Sequence, residues 1–460
     1  MPAAPAAFLT QSNDALTRAA KKAIMWTYHP DLLATPVPRY TSYPTAAEFG
    51  PLDNSIYASA LEGAAGDVSL YVHIPFCEKI CFYCGCNTAA ANRRQRLESY
   101  LLALQQEIKL VSERLPKGAR VRRLSFGGGS PNALAPVDFV RLIDSLFVAF
   151  HLSDPVISIE LDPRSLSAEW AKTIGGIGIE RASLGVQTFA PHCQTAIGRV
   201  QGEDEIVRSV DWLRGAGVTS LNFDLMYGLP GQTLHDLEDS LQRTRVLGAD
   251  RIALFGYAHV PHLVPRQKAI PDHDLPDQEL RFEMAELGYS YLLTHGYTPV
   301  GFDHFAHPGD PLASEALAGK VHRNFQGFTD DAAPVLIGLG ASAISSFPQV
   351  LAQNVKEAGR YRMMTSGGML PVNRGVVRSA DDRYRGAVIE QLLCNGSARV
   401  GSRLLGEVQG GLQPFVERGL ASIDEDHVTI LPVGLPYART IAALFDPWRQ
   451  QSARRFSSAV

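Results

Sequence analysis

The stretch Tyr71–Cys86, "YVHIPFCEKICFYCGC", packs four of the chain's six cysteines into ten residues, directly after an apolar run. Cys77, Cys81 and Cys84 stand at n, n+4 and n+7, a spacing that lets three thiolates wrap a small inorganic core from one loop. A four-iron cube has four corners, so three cysteines leave one iron open to another ligand. Structural zinc competes with this reading, but it wants four ligands in a tetrahedron, usually as two separated pairs. Cys86 follows Cys84 too closely for easy closure. Simple thiol chemistry is a third reading. A Cys84–Cys86 disulfide would close a small strained ring, and crowded free thiols suit a reducing cytoplasm.

Outward from this loop, six runs read as strands: 68–76, 122–129, 156–163, 181–189, 220–230 and 251–260. The gaps between them are long enough for helical crossovers. The clearest helices cover 97–115 and 136–150, the second opened by Pro136. Repeated strand–helix units predict a parallel sheet. Ligand sites in such folds gather at the carboxyl ends of the strands. Here those ends carry Cys77–Cys86, Gly127–Ser130, Glu160–Arg164, Gln187, Asp224 and His259. Periodicity alone does not separate an open sheet from a closed one. On the first strand Tyr71 and His73 alternate with Val72 and Ile74, which puts both polar-tipped rings on one face.

The whole chain has 460 residues, 45% of them hydrophobic, a net charge of -4 and a pI near 6.4. This is an ordinary globular composition, without the basic excess of a nucleic-acid or anionic-membrane binder. The opening "MPAAPAAFLTQSNDALTRAA" lacks the pattern of a secretory signal. No segment reaches the roughly 18 apolar residues of a membrane span, and the greasy 335–347 region reads as a buried element. Three parts are expected: an Ala/Pro-rich arm over 1–50, a catalytic unit with its extension over 51–350, and a mostly helical domain over 351–460. Cys193 and Cys394 are isolated and read as structural.

"CEKICFYC" carries the CxxxCxxC signature of the radical S-adenosylmethionine (SAM) enzymes. More narrowly, the chain resembles the oxygen-independent coproporphyrinogen III oxidase family along nearly its whole length. The likeness rests on "PRYTSYPTAAEF" (38–49), "FYCGC" (82–86), "FGGGSPN" (126–132), "SIELDPR" (158–164), "SLGVQTF" (183–189), "DLMYGLPGQT" (224–233), "FGYAHVP" (255–261), "GFDHFA" (301–306) and "HRNFQGFT" (322–329). The resemblance implies an α/β fold: an incomplete (β/α)6 TIM-like radical SAM barrel with an N-terminal arm and a mostly helical C-terminal domain. It implies oxidative decarboxylation of coproporphyrinogen III to protoporphyrinogen IX. The implied cofactors are a [4Fe-4S] cluster and SAM, as two molecules. A cytoplasmic monomer is expected, with an electron donor and a terminal acceptor that the residues do not identify. A haem chaperone of the same superfamily, or a tetrapyrrole-modifying paralogue, are the alternatives.

Carried onto this chain, the resemblance makes Cys77, Cys81 and Cys84 the cluster ligands. Cys86 would be needed without ligating, its bland alternative being a space-filler beside the cluster. Gly127, Gly128, Gly129 and Ser130 would grip the methionine part of SAM, although glycine runs are often simple turns. Glu160 would bond the ribose hydroxyls, the competing reading being a salt bridge to Arg164. Tyr71, Gln187, Arg199, Asp224 and Ala258 are carried over beside the same SAM, and His73 near the active-site wall. Phe325, Gln326 and Ile344 match positions near a second SAM. Arg39 in the arm and Arg323 are candidates for substrate propionates, since a guanidinium fork matches carboxylates. The chain departs from the family at Ser130, commonly threonine; at Thr188, usually aspartate; at Gly198, usually asparagine; and in "FPQVLAQN" (347–354), which lacks a tyrosine just before Gln353.

Overall fold

The computed structural model describes residues 26–451, so half of the expected arm, residues 1–25, lies outside the described residues. The six strand–helix repeats appear in chain order. They are β1 (Gly66–Ile74), α1 (Arg94–Ser112), β2 (Ala119–Gly128), α2 (Pro136–Ala149), β3 (Leu152–Leu161), α3 (Ala168–Ile177), β4 (Arg181–Gln187), α4 (Glu203–Gly215), β5 (Ser220–Tyr227), α5 (Leu234–Val246) and β6 (Arg251–Gly256). The strands lie side by side in sequence order, every neighbouring pair parallel. β6 pairs with His304–Ala306 and not with β1, so the ring stays open. The expected incomplete six-stranded barrel is therefore present.

Beyond β6 the sheet continues antiparallel through β7 (Thr298–Val300) and β8 (His304–Ala306). A two-stranded hairpin of β9 (His322–Asn324) and β10 (Gly327–Thr329) stands apart. On the other edge β11 (Val335–Leu339) adds a seventh parallel strand beside β1. β12 (Ile344–Ser346), β13 (Val350–Asn354) and β14 (Val372–Val377) then extend it antiparallel. The boundary expected after residue 350 falls at the first residue of β13, and the main sheet runs on to Val377. Past it come α6 (Ala380–Asn395), α7 (Ser402–Glu417) and a three-stranded sheet that includes the "HVTI" strand His427–Ile430.

α1 shows why the crossovers form. Tyr100, Ala103, Leu104, Glu107, Ile108 and Val111 make one buried stripe at helical spacing. Glu107 is a charge inside that stripe. It accepts from the Tyr361 hydroxyl at 2.5 Å, Gly340 N–H at 2.6 Å and Asn354 Nδ2 at 2.6 Å, joining α1 to the turn after β11 and to β13. At the amino ends of the strands, Arg123 and Arg181 pair with Asp330, and Arg251 with Asp310, at 2.7–2.9 Å. These ion pairs close the bottom of the barrel and leave the carboxyl ends to the site.

The described part of the arm is clamped along its length. Trp26 packs on Phe282 and Tyr289, Arg39 donates to the Gly256 carbonyl at 2.5 Å, and Tyr40 donates to Asp446 at 3.0 Å. Among the described residues no helix is long and apolar enough to cross a membrane.

Candidate active site at the carboxyl ends of the barrel strands

β1 delivers the chain into the cysteine loop. That loop is pinned by Gly129 N–H to the Ile74 carbonyl at 2.8 Å, Ser130 N–H to Phe76 at 2.7 Å and Phe82 N–H to Ile197 at 2.9 Å. All four of its cysteines are free; Cys81 is buried, Cys77 and Cys84 half-buried, and Cys86 exposed. Burial, then the neighbouring Cys84, pushes the Cys77 thiol up to about 12. The Cys86 thiol bonds the Cys84 sulfur, which lowers Cys84 and raises Cys86.

A single zinc with four thiolates at about 2.3 Å would hold its sulfurs roughly 3.8 Å apart. Among the described residues only His192, Cys193 and Asp236 place three or more such donor atoms all within 4.8 Å of one another. The loop sulfurs are spread too widely for that ion, which disfavours zinc.

Beside the loop, Gly127, Gly128 and Gly129 form a floor with no room for side chains. An added Cβ would stand 2.5 Å from the Glu160 carboxyl at Gly127, 2.4 Å from the His73 ring at Gly128, and 2.4 Å from the Phe76 carbonyl at Gly129. Gly128 also has φ +110°, which L-residues rarely adopt. Ser130 is buried, its hydroxyl given to Asn132 Oδ1 at 2.5 Å.

Glu160 ends β3 facing this floor. It accepts Gly128 N–H at 3.1 Å and a bond from the Gln326 side chain. Burial, reinforced by the Asp224 carboxylate, raises its carboxyl to about 7. The competing pairing with Arg164 is not made: Arg164 sits on Asp162 at 2.6 Å. Asp224 accepts from Ser183 at 2.9 Å and Asn222 at 2.8 Å, and burial raises it too. The Tyr71 hydroxyl meets His73 Nδ1 at 3.1 Å, as the alternation of β1 predicts. Burial lowers His73 to about 4, so its ring is neutral near pH 7.

The barrel interior holds a cavity of about 340 Å³ lined by Glu160, Asp224, Phe255, Phe325 and Gln326 among others. Phe325 and Gln326 form the tip of the β9–β10 hairpin, and Phe325 packs edge-on to Tyr71 with centroids 4.6 Å apart. A second cavity of about 510 Å³ lies on the other side of the same tip, lined by Tyr40, Arg323, Phe325 and Ile344. Gln187 is buried at the end of β4 with φ 67°. Arg199 donates to Gly185, Asp162 and the Cys81 sulfur. Ala258 lies in the loop after β6, its carbonyl held by Gln267 at 3.0 Å.

Arg39 and Arg323 come together. Arg323 donates to the Arg39 carbonyl at 3.1 Å and lies 4.3 Å over the Phe328 ring. Arg39 and Arg439 line a small cavity with Asp303. Burial, with Arg39 as the next cause, lowers Arg439 to about 10.

This geometry agrees with the comparisons with known proteins. The radical SAM superfamily model matches residues 71–244. The oxygen-independent coproporphyrinogen III oxidase of Paracoccus denitrificans is 39% identical over 444 residues, spanning 92% of this chain and 96% of its own. Its counterpart in Escherichia coli is 36% identical over 430 residues, spanning 91% and 94%. The solved coproporphyrinogen III oxidase from Escherichia coli, described as a radical SAM enzyme, superposes with a TM-score of 0.85 at 35% identity, over 92% of this chain and 99% of that one. The chain belongs to the oxygen-independent coproporphyrinogen III oxidase family.

In this oxidase two of the departures have a local structural account. Thr188 faces away from the loop: its hydroxyl accepts Ala190 N–H at 3.1 Å and meets Ser240 at 3.4 Å. Gly198 has φ +65°, and a Cβ there would lie 2.9 Å from the Phe82 ring, so the small residue makes room for the cysteine loop. Sequence reasoning missed Asp162, Asn132, Glu107 and Arg439 of the oxidase. Asp162 stands two residues after Glu160, and spacing alone does not tell which of the two carboxylates meets the arginines. Glu107 was visible as a carboxylate on an apolar helical stripe.

Proposed function

We propose that this chain converts coproporphyrinogen III to protoporphyrinogen IX by oxygen-independent oxidative decarboxylation, with Cys77, Cys81 and Cys84 holding a [4Fe-4S] cluster. The observation that carries the reading is the meeting of the cysteine loop, the glycine floor and Glu160 at one end of an open parallel barrel. A cluster held there would supply one-electron reduction of SAM, and with it the hydrogen-atom abstraction that decarboxylation of a substrate propionate needs.

The chain's own residues do the positioning. The glycine floor admits the methionine part of SAM where any side chain would clash. Glu160, as its carboxylate, accepts the ribose hydroxyls, with Tyr71, Gln187, Arg199, Asp224 and Ala258 lining the same place. Cys86 hydrogen-bonds the Cys84 sulfur and steadies the loop. Phe325 borders both cavities, Gln326 the first and Ile344 the second, and together they support a place for a second SAM. Neutral His73 holds the Tyr71 hydroxyl and accepts no charge. Arg39 and Arg323 are the propionate partners, because they are cationic, adjacent and backed by the arm. The two cavities beside the hairpin tip give room for substrate near the strand ends, and Tyr40 of the arm lines the second.

The free thiols fit a reducing cytoplasm. Decarboxylation also requires an acceptor for one more electron. The test is an anaerobic assay of reconstituted protein with SAM, a reductant and coproporphyrinogen III, following product mass. Loss of two carbon dioxide units, abolished by Cys81→Ala, is expected. SAM cleavage without that loss would sink the substrate assignment.

A further inference from the structure

Cys81 has different surroundings from its two neighbours. Its sulfur receives Arg164 Nη2 at 3.5 Å and Arg199 Nη1 at 3.4 Å. Among the described residues neither Cys77 nor Cys84 receives an arginine donor. Both guanidiniums are locked. Asp162 takes Arg164 Nε at 3.0 Å and Nη2 at 2.6 Å, and Arg199 Nη2 at 3.2 Å. Arg199 is fixed a second time on the Gly185 carbonyl, and Arg164 on that of Lys79 at 3.3 Å. Asp162 is itself held through its backbone by Asn132, whose side chain donates to its carbonyl at 2.9 Å and accepts its N–H at 3.1 Å. The side chains of Arg164, Arg199 and Asp162 are 7%, 7% and 10% exposed, so solvent ions screen them little.

Two cations therefore face one anion, leaving net positive charge beside the loop, with both N–H···S contacts made to Cys81. Reduction adds an electron to a metal–sulfur core, and positive charge with N–H···S bonds favours the more negative state. We propose that Arg164, held in place by Asp162, is a positioning residue that raises the reduction potential of the cluster through its Cys81 corner. The inference rests on the cluster assignment made above. Arg199 shares the contact but also lies in the SAM site, so Arg164 is the separable member of the pair.

The test is an anaerobic redox titration of reconstituted holoenzyme without SAM, following the reduced cluster by EPR and counting iron and sulfide in every sample. Arg164→Gln is expected to move the midpoint to a more negative potential, and Arg164→Lys to restore most of the shift. Asp162→Asn, which removes the compensating anion, is expected to move it the opposite way. An unchanged midpoint in fully loaded Arg164→Gln protein overturns the proposal, as do shifts of the same sign in the Gln and Asn variants. Should Arg164→Gln load poorly, Asp162→Asn decides: a midpoint unchanged or more negative overturns it. A wild-type chain that takes up no cluster overturns the underlying assignment as well, and its metal content tells that failure from the other.

Discussion

Gly127 and Glu160 compete for one volume: the Glu160 carboxyl lies 2.5 Å from the place a Cβ on Gly127 would take. Gly127→Ala must displace the carboxylate and its bond to Gly128 N–H. SAM affinity, measured anaerobically by calorimetry, is expected to fall at least tenfold, or about 1.4 kcal/mol. An unchanged affinity would place the ribose elsewhere.

Because Glu160 sits near 7 before SAM arrives, its charge is available only at and above neutrality. Hydroxyl donors favour the ionised acceptor. SAM binding is expected to tighten as pH rises toward 7, approaching tenfold per unit below it, and then to level off. Glu160→Gln should bind weakly at every pH with a flat profile. His73, at about 4, contributes no ionisation in this range.

Burial raises Glu107 to about 7, well above an ordinary carboxyl. The folded state therefore binds its proton more tightly than the unfolded state. This contribution to stability is full below about 4.5 and is lost as pH rises to about 7, on the order of 3 kcal/mol in all. Melting temperatures of wild type and Glu107→Gln should move relative to one another across that window. A constant gap would show that Glu107 carries no such linkage.

Gly198 and Phe82 should couple. Gly198→Ala imposes a left-handed backbone costing about 1 kcal/mol, and it also pushes on the Phe82 ring. Phe82→Ala alone, at a ring 40% exposed, should cost little. The double variant should recover the part due to the ring, leaving the backbone cost. Denaturant unfolding of the four proteins measures the interaction, and strict additivity would deny the contact.

The six strands were legible because each apolar run is short and separated from the next by a crossover, whereas their closing into a barrel rested on the family resemblance. β3 was read to residue 163 but ends at Leu161, since Asp162 turns aside to cap Pro163–Ser165. The cysteine loop, glycine floor and Glu160 were legible as polar or Cβ-free residues at strand ends. Which carboxylate meets Arg164 was not, because Glu160 and Asp162 are close in sequence and only the path of the turn separates their side chains. The meeting of Arg39, Arg323 and Arg439 joins the arm, the hairpin and the C-terminal part. No local pattern encodes a contact across so many residues.

The clasp between arm and C-terminal part also has a consequence for biosynthesis. His29 N–H reaches the Tyr437 hydroxyl at 2.8 Å, 408 residues along the chain, and Tyr40 reaches Asp446. At ribosomal speeds of about 5–20 residues per second, roughly 20–80 s separate the emergence of the two halves of that contact. The barrel strands have all been made by Gly256, long before the clasp can close. The nascent chain thus passes through an interval in which the six barrel strands are complete and the clasp is still open.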